Sequence, residues 1–208
     1  MNIEDNETDF EKYKKLELND GPSIRKSDLP KDFSNKAFEI VDEFIKKIAD
    51  LDYEILIFFD YMTGEILKCK IGGENNVEID FENEEFNGKH VASIHNHTKE
   101  MYTLPSDKNF GILSREWEEY ELIACINCIW ILKGKIKDEK LTFELKIISN
   151  VLFNIALENA TKIYRNQTEI DDKCDEQYGN LLSKYINDKN ISKIQLEKKE
   201  YNHDQNKN

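Results

Sequence analysis

The chain has 208 residues and a hydrophobic share of 39%, enough for one ordinary domain with its own core. Its formal net charge of -13 repels phosphate backbones and no basic patch offsets it, which argues against a nucleic-acid partner. The sequence lacks an apolar run that could span a bilayer, and its acidic start does not resemble a signal peptide, so we expect a cytoplasmic protein without a membrane partner.

The first part of the chain predicts a polar arm followed by a packed helix. Residues 1–30 show no periodic apolar pattern and end at a proline, which predicts a flexible arm. From Ser34 to Ala49, apolar residues recur at three- and four-residue spacing. This spacing puts them on one face and predicts a helix that packs through that face.

The next segment predicts strands. Residues 53–59 and 65–71 are rich in aromatic and branched side chains and flank Thr63-Gly64, which predicts a β-hairpin. A third strand is predicted over residues 77–79. After Gly88, residues 90–97 alternate between the two faces of a further strand, with His95 and His97 on one face.

The remaining elements complete an α+β fold, a mixed β-sheet flanked by helices. Residues 106–120 predict a helix with Ser106 as N-cap. The apolar run 122–132 predicts one buried central strand, and residues 141–148 predict an alternating strand. A helix is predicted from Val151 to about Tyr164. The expected organisation is an arm over 1–30, one domain over 31–165, and a charged helical extension with a disordered tail over 166–208.

The segment His95-Asn96-His97 is the strongest chemical signal in the sequence. Two histidines separated by one residue on a strand project side by side, so both imidazoles can reach one cation. A catalytic zinc site needs a third protein ligand and an open position for water, and we expect the loop after His97 to supply that ligand. Two such histidines also occur as packing or surface residues, which is the simpler interpretation.

The pattern resembles the JAB/MPN, or JAMM, metallopeptidase family. In that family an HxH strand is followed by a short loop, a serine and, three residues later, an aspartate. The phage-type and RadC-like members commonly have HNHP followed by a serine-led turn that opens a helix. This chain has HNHTKEMYTLPSDKNF, and the resemblance spans roughly residues 35–160. It implies a JAB/MPN, cytidine-deaminase-like architecture.

The resemblance also implies roles for individual residues. His95 and His97 would hold Zn²⁺ together with an acidic residue from the loop. Ser106 matches the serine that polarises the oxyanion, and Glu54 matches the glutamate that acts as general base. Acidic residues at strand edges are common, so the assignment of Glu54 depends on its strand context.

The third ligand is where the chain departs from the family. The residue three positions after Ser106 is Asn109, whose amide oxygen brings no negative charge to the cation. Asp107 is the alternative ligand if the start of the helix shifts in register. The carboxylates of Asp52 and Glu65 are alternatives to Glu54 as the general base.

Three function classes follow. The first is a zinc-dependent metallopeptidase or isopeptidase that hydrolyses an amide bond in a peptide or protein substrate. The second is a JAB/MPN-like binding or scaffold module that has lost its third ligand. The third is an acidic cytosolic accessory protein whose long C-terminal helix pairs with a protein partner.

The cysteines and tryptophans have simpler explanations. Cys125 and Cys128 form a CxxC, but on one continuous strand they would face opposite sides, so we interpret them as core residues. No second CxxC completes a zinc ribbon. Trp117 and Trp130 are interpreted as packing anchors.

Overall fold

The structure is a computed structural model of the whole chain. It describes residues 7–48, 51–73, 77, 86–98, 105, 110, 115, 117–134, 139–189, 191 and 194–202.

The described part of the chain forms four α-helices and six strands. In chain order they are α1 (Asp9–Lys15), α2 (Asn35–Ile48), β1 (Ile55–Asp60), β2 (Glu65–Ile71), β3 (Val91–Asn96), β4 (Glu118–Ala124), β5 (Cys128–Lys133), α3 (Glu139–Ile163), α4 (Gln167–Asp188) and β6 (Gln195–Glu200). None of the described helices combines the length and the apolar character needed to cross a membrane.

The six strands form one mixed sheet in the order β2-β1-β3-β4-β5-β6. Strands β3 and β4 run parallel, and every other neighbouring pair is antiparallel. The expected α+β class with a mixed sheet and flanking helices is therefore confirmed. Because β3 has a neighbouring strand on each side, both of its edges are paired.

One face of the sheet is covered by α2. The helix begins after Ser34, whose Oγ accepts a hydrogen bond from the Ala37 backbone N–H at 3.1 Å, as an N-cap does. Its apolar stripe packs on the side chains of alternate strand residues. The buried members of this core from α2, β1 and β3 are Ala37, Val41, Phe44, Ile45, Ile48, Ile55, Ile57, Phe59, Ala92 and Ile94.

The opposite face has two parts. Over β4 and β5, helices α3 and α4 bury a second core whose members include Ile123, Trp130, Leu132, Leu145, Ala156, Tyr178 and Leu182. Over β1 and β3, a smaller cluster contains Leu56, Phe58, Phe86 and Val91. The histidines lie on this second face, because His95 has the same parity along β3 as Val91.

Gly64 permits the turn between β1 and β2 to approach α2. It has a φ of 72°, a left-handed conformation that favours glycine. A Cβ added there would lie 2.3 Å from the Cβ of Lys36. The hairpin predicted around Thr63-Gly64 is confirmed, as is the helix predicted from Ser34.

Three predicted elements differ from the structure. The run 122–132 is two antiparallel strands, β4 and β5, joined at residues 125–127, so the prediction of one strand was wrong. Both strands are buried on both faces, and the polar signal of the turn is limited to Asn127. Residues 118–120 belong to β4 rather than to a helix.

Residues 141–148 are the third difference, because they form the start of α3. Their period-two pattern arises because the helix has apolar residues on both its buried and its solvent-facing sides. Leu145 is buried, whereas Phe143 and Ile147 are exposed. The strand predicted at 77–79 lies outside the described residues except for Val77, which is not in a strand.

The two ends of the chain contain ordered elements. Within the predicted arm, α1 lies beside β2, where Asp9 Oδ2 accepts a hydrogen bond from the Ile71 N–H at 3.2 Å. At the other end, α4 packs on α3, and Gln195–Glu200 pairs along β5 as the edge strand of the sheet. Those last residues are therefore part of the sheet rather than of a tail.

Candidate functional site

His95 and His97 lie side by side where β3 ends. His95 is the penultimate residue of β3, and His97 follows the strand with its backbone N–H donating to the Ala124 carbonyl at 2.9 Å. The pleat therefore extends to His97 and turns both rings to the same face. Their ring centroids are 5.3 Å apart, and the two residues are only 7% and 8% exposed.

The surroundings of His95 keep its imidazole neutral. Burial lowers its pKa to about 3, and the neighbouring His97 adds to the effect. Desolvation penalises the charged form of a histidine, so the ring carries no proton charge at neutral pH. The neutral imidazole is the form that binds metal ions.

Glu54 lies at the start of the neighbouring strand. β1 pairs with β3 so that Leu56 is opposite His95, and the same antiparallel register continued by two residues puts Glu54 across from His97. Residues opposite each other in an antiparallel pair project to the same face. Glu54 is buried, and its backbone N–H and carbonyl pair with Gly73 and Gly72 at 2.9 and 2.8 Å.

Asn96, the middle residue of the motif, joins the end of β3 to the start of β1 through two side-chain hydrogen bonds. Its Oδ1 accepts a hydrogen bond from the Ile55 N–H at 2.7 Å, and its Nδ2 donates to the Tyr53 carbonyl at 2.9 Å. The two bonds bracket Glu54 in the sequence. Because Asn96 is almost fully buried, its side chain fixes the backbone of Glu54 relative to the histidine strand.

Two buried carboxylates on β4 complete the polar surroundings, and the sequence reasoning missed both. Glu121 is 1% exposed, and its Oε1 lies 3.6 Å from Nδ1 of His95. Glu118 is also buried, which raises its pKa to about 8 even though Ser93 and Arg115 act to lower it. The Arg115 Nη1 lies 3.6 Å from Oε2 of Glu118.

A β-bulge brings both carboxylates to the histidine face. Glu118 is aligned with Val91 and Tyr120 with Ala92, so Glu119 is an extra residue in β4. Without it, residues 118 and 121 would face opposite sides of the sheet. The sequence signal was the acidic segment Glu118-Glu119-Tyr120-Glu121 directly before an apolar run. The prediction of a helix over 106–120 concealed it.

The remaining predicted site residues fall into two groups. Ser106, Asp107 and Asn109 lie outside the described residues, so their roles stay predictions. Asp52 is exposed. Glu65 lies on β2 opposite Asp60, at the end of β1 that is far from the histidines, and it forms an ion pair with Lys89 at 2.5 Å. Of the three candidate bases, Glu54 alone has the register that faces them.

Cys125 and Cys128 are buried, as expected, but their relative orientation differs from the prediction. Because β4 and β5 form a hairpin, Cys125 and Cys128 stand opposite each other at its end, with the Cys125 N–H donating to the Cys128 carbonyl at 2.8 Å. The expectation that they face opposite sides was wrong, because it assumed one continuous strand. Both are buried free thiols within the core under α4.

The two tryptophans pack in different clusters. Trp117 stacks on Phe86 with ring centroids 4.5 Å apart and meets Phe58 edge to face at 5.7 Å. Trp130 belongs to the core beneath α4. Both positions agree with the interpretation as packing anchors.

The donor set suits a divalent metal in part. Neutral imidazoles and carboxylates are zinc ligands, and a buried carboxylate beside the second nitrogen of a histidine is the arrangement that orients metal-binding histidines. Glu118 adds a second buried carboxylate on the same face of the sheet. Nevertheless, no set of three His, Cys, Asp or Glu side chains within the described ranges has the geometry to hold a metal ion.

The arrangement can bind a cation through two imidazoles and place a carboxylate beside it. It can also hold a water molecule against that carboxylate in a buried setting, which is the requirement for general-base catalysis.

Comparisons of the chain with protein-family models, with curated proteins and with solved structures found no match.

Proposed function

We propose that this protein is a JAB/MPN-like hydrolase that uses one Zn²⁺ ion to cleave an amide or isopeptide bond in a peptide or protein substrate. The observation that carries the proposal is the register of β1 and β3, which supports Glu54 facing the two histidines. The mixed sheet with helices on both faces is compatible with the JAB/MPN, cytidine-deaminase-like architecture. The acidic surface agrees with a peptide rather than a nucleic-acid substrate.

Each residue has a distinct task in this proposal. His95 and His97 hold the ion, and the Glu121 carboxylate, whose Oε1 lies 3.6 Å from Nδ1 of His95, favours the ring orientation that leaves Nε2 for the ion. Zinc, when bound, would polarise the substrate carbonyl and lower the pKa of a nearby water. Glu54 takes a proton from the attacking water and delivers it to the nitrogen of the leaving amine.

Asn96 and the loop after His97 support these steps. The two hydrogen bonds of Asn96 hold the backbone on either side of Glu54 against β3. In this position the Glu54 carboxylate faces the attacking water molecule rather than bulk solvent. From the resemblance, Ser106 donates to the oxyanion that develops on the carbonyl oxygen. Asn109 or Asp107 would provide the third contact to the ion.

The central experiment measures zinc and hydrolysis separately. The protein purified without chelator should contain close to one zinc per chain, and Glu54→Gln should abolish hydrolysis of a peptide or isopeptide substrate while it retains zinc. Glu65→Gln is the matched control, because it makes the same change at an exposed carboxylate of the neighbouring strand. If Glu54→Gln loses zinc and activity together, Glu54 is a ligand and not a base.

The third ligand can be assigned by two further variants. If Asn109 contacts the ion, Asn109→Asp should tighten zinc binding because it adds a negative charge. If Asp107 is the ligand, Asn109→Asp should give no gain and Asp107→Asn a large loss. Competition with a chromogenic chelator measures both affinities.

A second candidate is a JAB/MPN-like binding or scaffold module without hydrolytic activity. It is favoured by the lack of a three-ligand set within the described ranges and by the neutral amide of Asn109. In that case α4, the C-terminal helix, is a candidate surface for a protein partner. A parent protein that binds no zinc, and whose Asn109→Asp and Asp107→Asn variants bind none, would favour this module over the hydrolase.

A further inference from the structure

A cavity of about 440 Å³ lies between α4 and the β5–β6 edge of the sheet. One face of α4 forms its wall, because Asp172, Asp175, Gly179 and Ser183 recur at helical spacing. The histidines are not among its lining residues, so the cavity is separate from the proposed zinc site. Its volume lies within the range that accommodates small-molecule ligands.

Asp175 is a buried acid at this cavity. The residue is 4% exposed, and its Oδ1 has no hydrogen-bonding partner among the described residues. Burial raises its pKa to about 7, even though the Lys198 ammonium acts in the opposite direction. A buried carboxylate oxygen without a donor is costly, and the usual explanation is a group that the protein binds at that point.

The charges around the cavity leave a negative excess. Lys173 pairs with Glu176 at 2.6 Å, and Lys198 pairs with Glu200 at 2.9 Å. All four of these residues line the cavity together with Asp172 and Asp175. Both lysines therefore have carboxylate partners of their own. The described part of the chain offers no ion pair within 4.0 Å to either Asp172 or Asp175, so the excess charge belongs to these two residues.

An aromatic wall stands beside the acids. Trp130 lines the cavity, and its indole approaches α4 closely at Gly179, where an added Cβ would lie 2.7 Å from Cη2. The Lys198 ammonium already lies 5.9 Å from the centre of the Trp130 ring, within the range of a cation–π contact. This wall therefore suits both an alkyl chain and a cationic group.

We propose that this cavity binds a primary alkylamine in its protonated form, with the ammonium group donating to the carboxylate of Asp175 and the alkyl chain lying against Trp130. An ammonium group brings three donors and one positive charge, which together supply donors to this buried carboxylate and reduce the negative excess. Asp172 lies one helical turn from Asp175 and attracts the amine to the mouth of the cavity. The site does not depend on zinc or on the hydrolase proposal.

The chemistry favours an amine over the two simpler ions. An inorganic anion would meet the carboxylates of Asp172 and Asp175. A divalent cation needs several convergent oxygen or nitrogen ligands, and the described residues contain no such group of three. An ammonium group needs only one or two carboxylates and an apolar surface for its chain.

The test is a calorimetric titration of the full chain with n-butylamine at mildly alkaline pH and low salt. The matched neutral probe is n-butanol, which has the same chain without the charge. The test variant is Asp175→Asn, and the control variant is Glu169→Gln, an exposed acid of the same helix that does not line the cavity. Circular dichroism of each variant checks that it folds.

We expect n-butylamine to bind the parent and Glu169→Gln equally. Its affinity should fall at least ~10-fold in Asp175→Asn, and n-butanol should bind the parent at least ~10-fold more weakly than the amine, as the loss of one charge-assisted contact predicts. Asp172→Asn should give a smaller loss. The inference is overturned if the parent does not bind the amine, if folded Asp175→Asn binds it as well as the parent, if n-butanol binds as tightly, or if Ca²⁺ binds in the cavity and the amine does not.

Discussion

Asp175→Asn should change the way in which the stability of the protein depends on pH. The carboxyl group has a pKa of about 7 in the folded protein, because burial disfavours its charged form. In the unfolded chain its pKa returns to about 3.8. Between these values the unfolded state releases the proton and the folded state retains it, so rising pH favours unfolding. Asparagine does not titrate, and this pH-dependent loss disappears in the variant.

The size of the effect follows from the two pKa values. The interval from 3.8 to about 7, at about 1.4 kcal/mol for each pH unit, corresponds to about 4 kcal/mol. Roughly 3 kcal/mol of this loss falls between pH 5 and pH 8, above the range in which most other carboxylates titrate. The residue is 4% exposed, so solvent screening reduces the value little.

Urea unfolding followed by circular dichroism at about pH 5 and about pH 8 measures this effect. The free energy of unfolding of Asp175→Asn, relative to the parent, should be higher at the upper pH by about 3 kcal/mol. Any constant cost of the amide cancels in this difference. Glu169→Gln, at an exposed position of the same helix, should show no such change. A parent-to-variant difference that is the same at both pH values would refute the reasoning.

Three further substitutions test other parts of the structure. Gly88→Ala should lower the unfolding free energy by about 1 to 2 kcal/mol because of its positive φ alone. Gly64→Ala should cost a further ~1 to 3 kcal/mol, because the added Cβ also meets α2. Equal costs of the two variants in urea unfolding would contradict the packing of the Gly64 turn on α2. Asn96→Ala should lower the unfolding free energy by about 2 to 4 kcal/mol, because it leaves a buried N–H and a half-buried carbonyl without their partner, and a loss under about 1 kcal/mol would mean that the two bonds contribute little. Glu121→Gln should weaken zinc binding ~10- to 100-fold through the lost orientation of His95, measured by chelator competition, and unchanged affinity would remove this role.

Local patterns predicted the parts of the fold that depend on one segment at a time. The apolar stripe after Ser34 gave α2, and the aromatic and branched runs around Thr63-Gly64 gave the first hairpin. The alternation of residues 90–97 gave the face shared by His95 and His97. Each pattern repeats with the period of its element, so the period alone identifies the buried face.

In two other segments the sequence pattern is compatible with more than one secondary structure. The run 122–132 is apolar throughout, and such a run is compatible with one strand or with a buried hairpin. Residues 141–148 alternate because Phe143 and Ile147 are exposed apolar residues on a helix. In both cases the burial on each side of the segment decides its structure, and that burial depends on neighbours distant in sequence.

The sequence by itself determined which residues can do chemistry here: two histidines on one strand face, an acid at the head of another strand, and an α+β class. The tertiary structure decided which of them meet. The register of β1 and β3, which pairs Leu56 with His95, supports the assignment of Glu54 to the histidine face, and Glu121 lies on that face only because one extra residue in β4 reverses the alternation. The cavity at Asp175 likewise exists only where α4 lies over the β5–β6 edge. Strand register, bulges and helix packing result from contacts between distant segments, and no local period in the sequence encodes them.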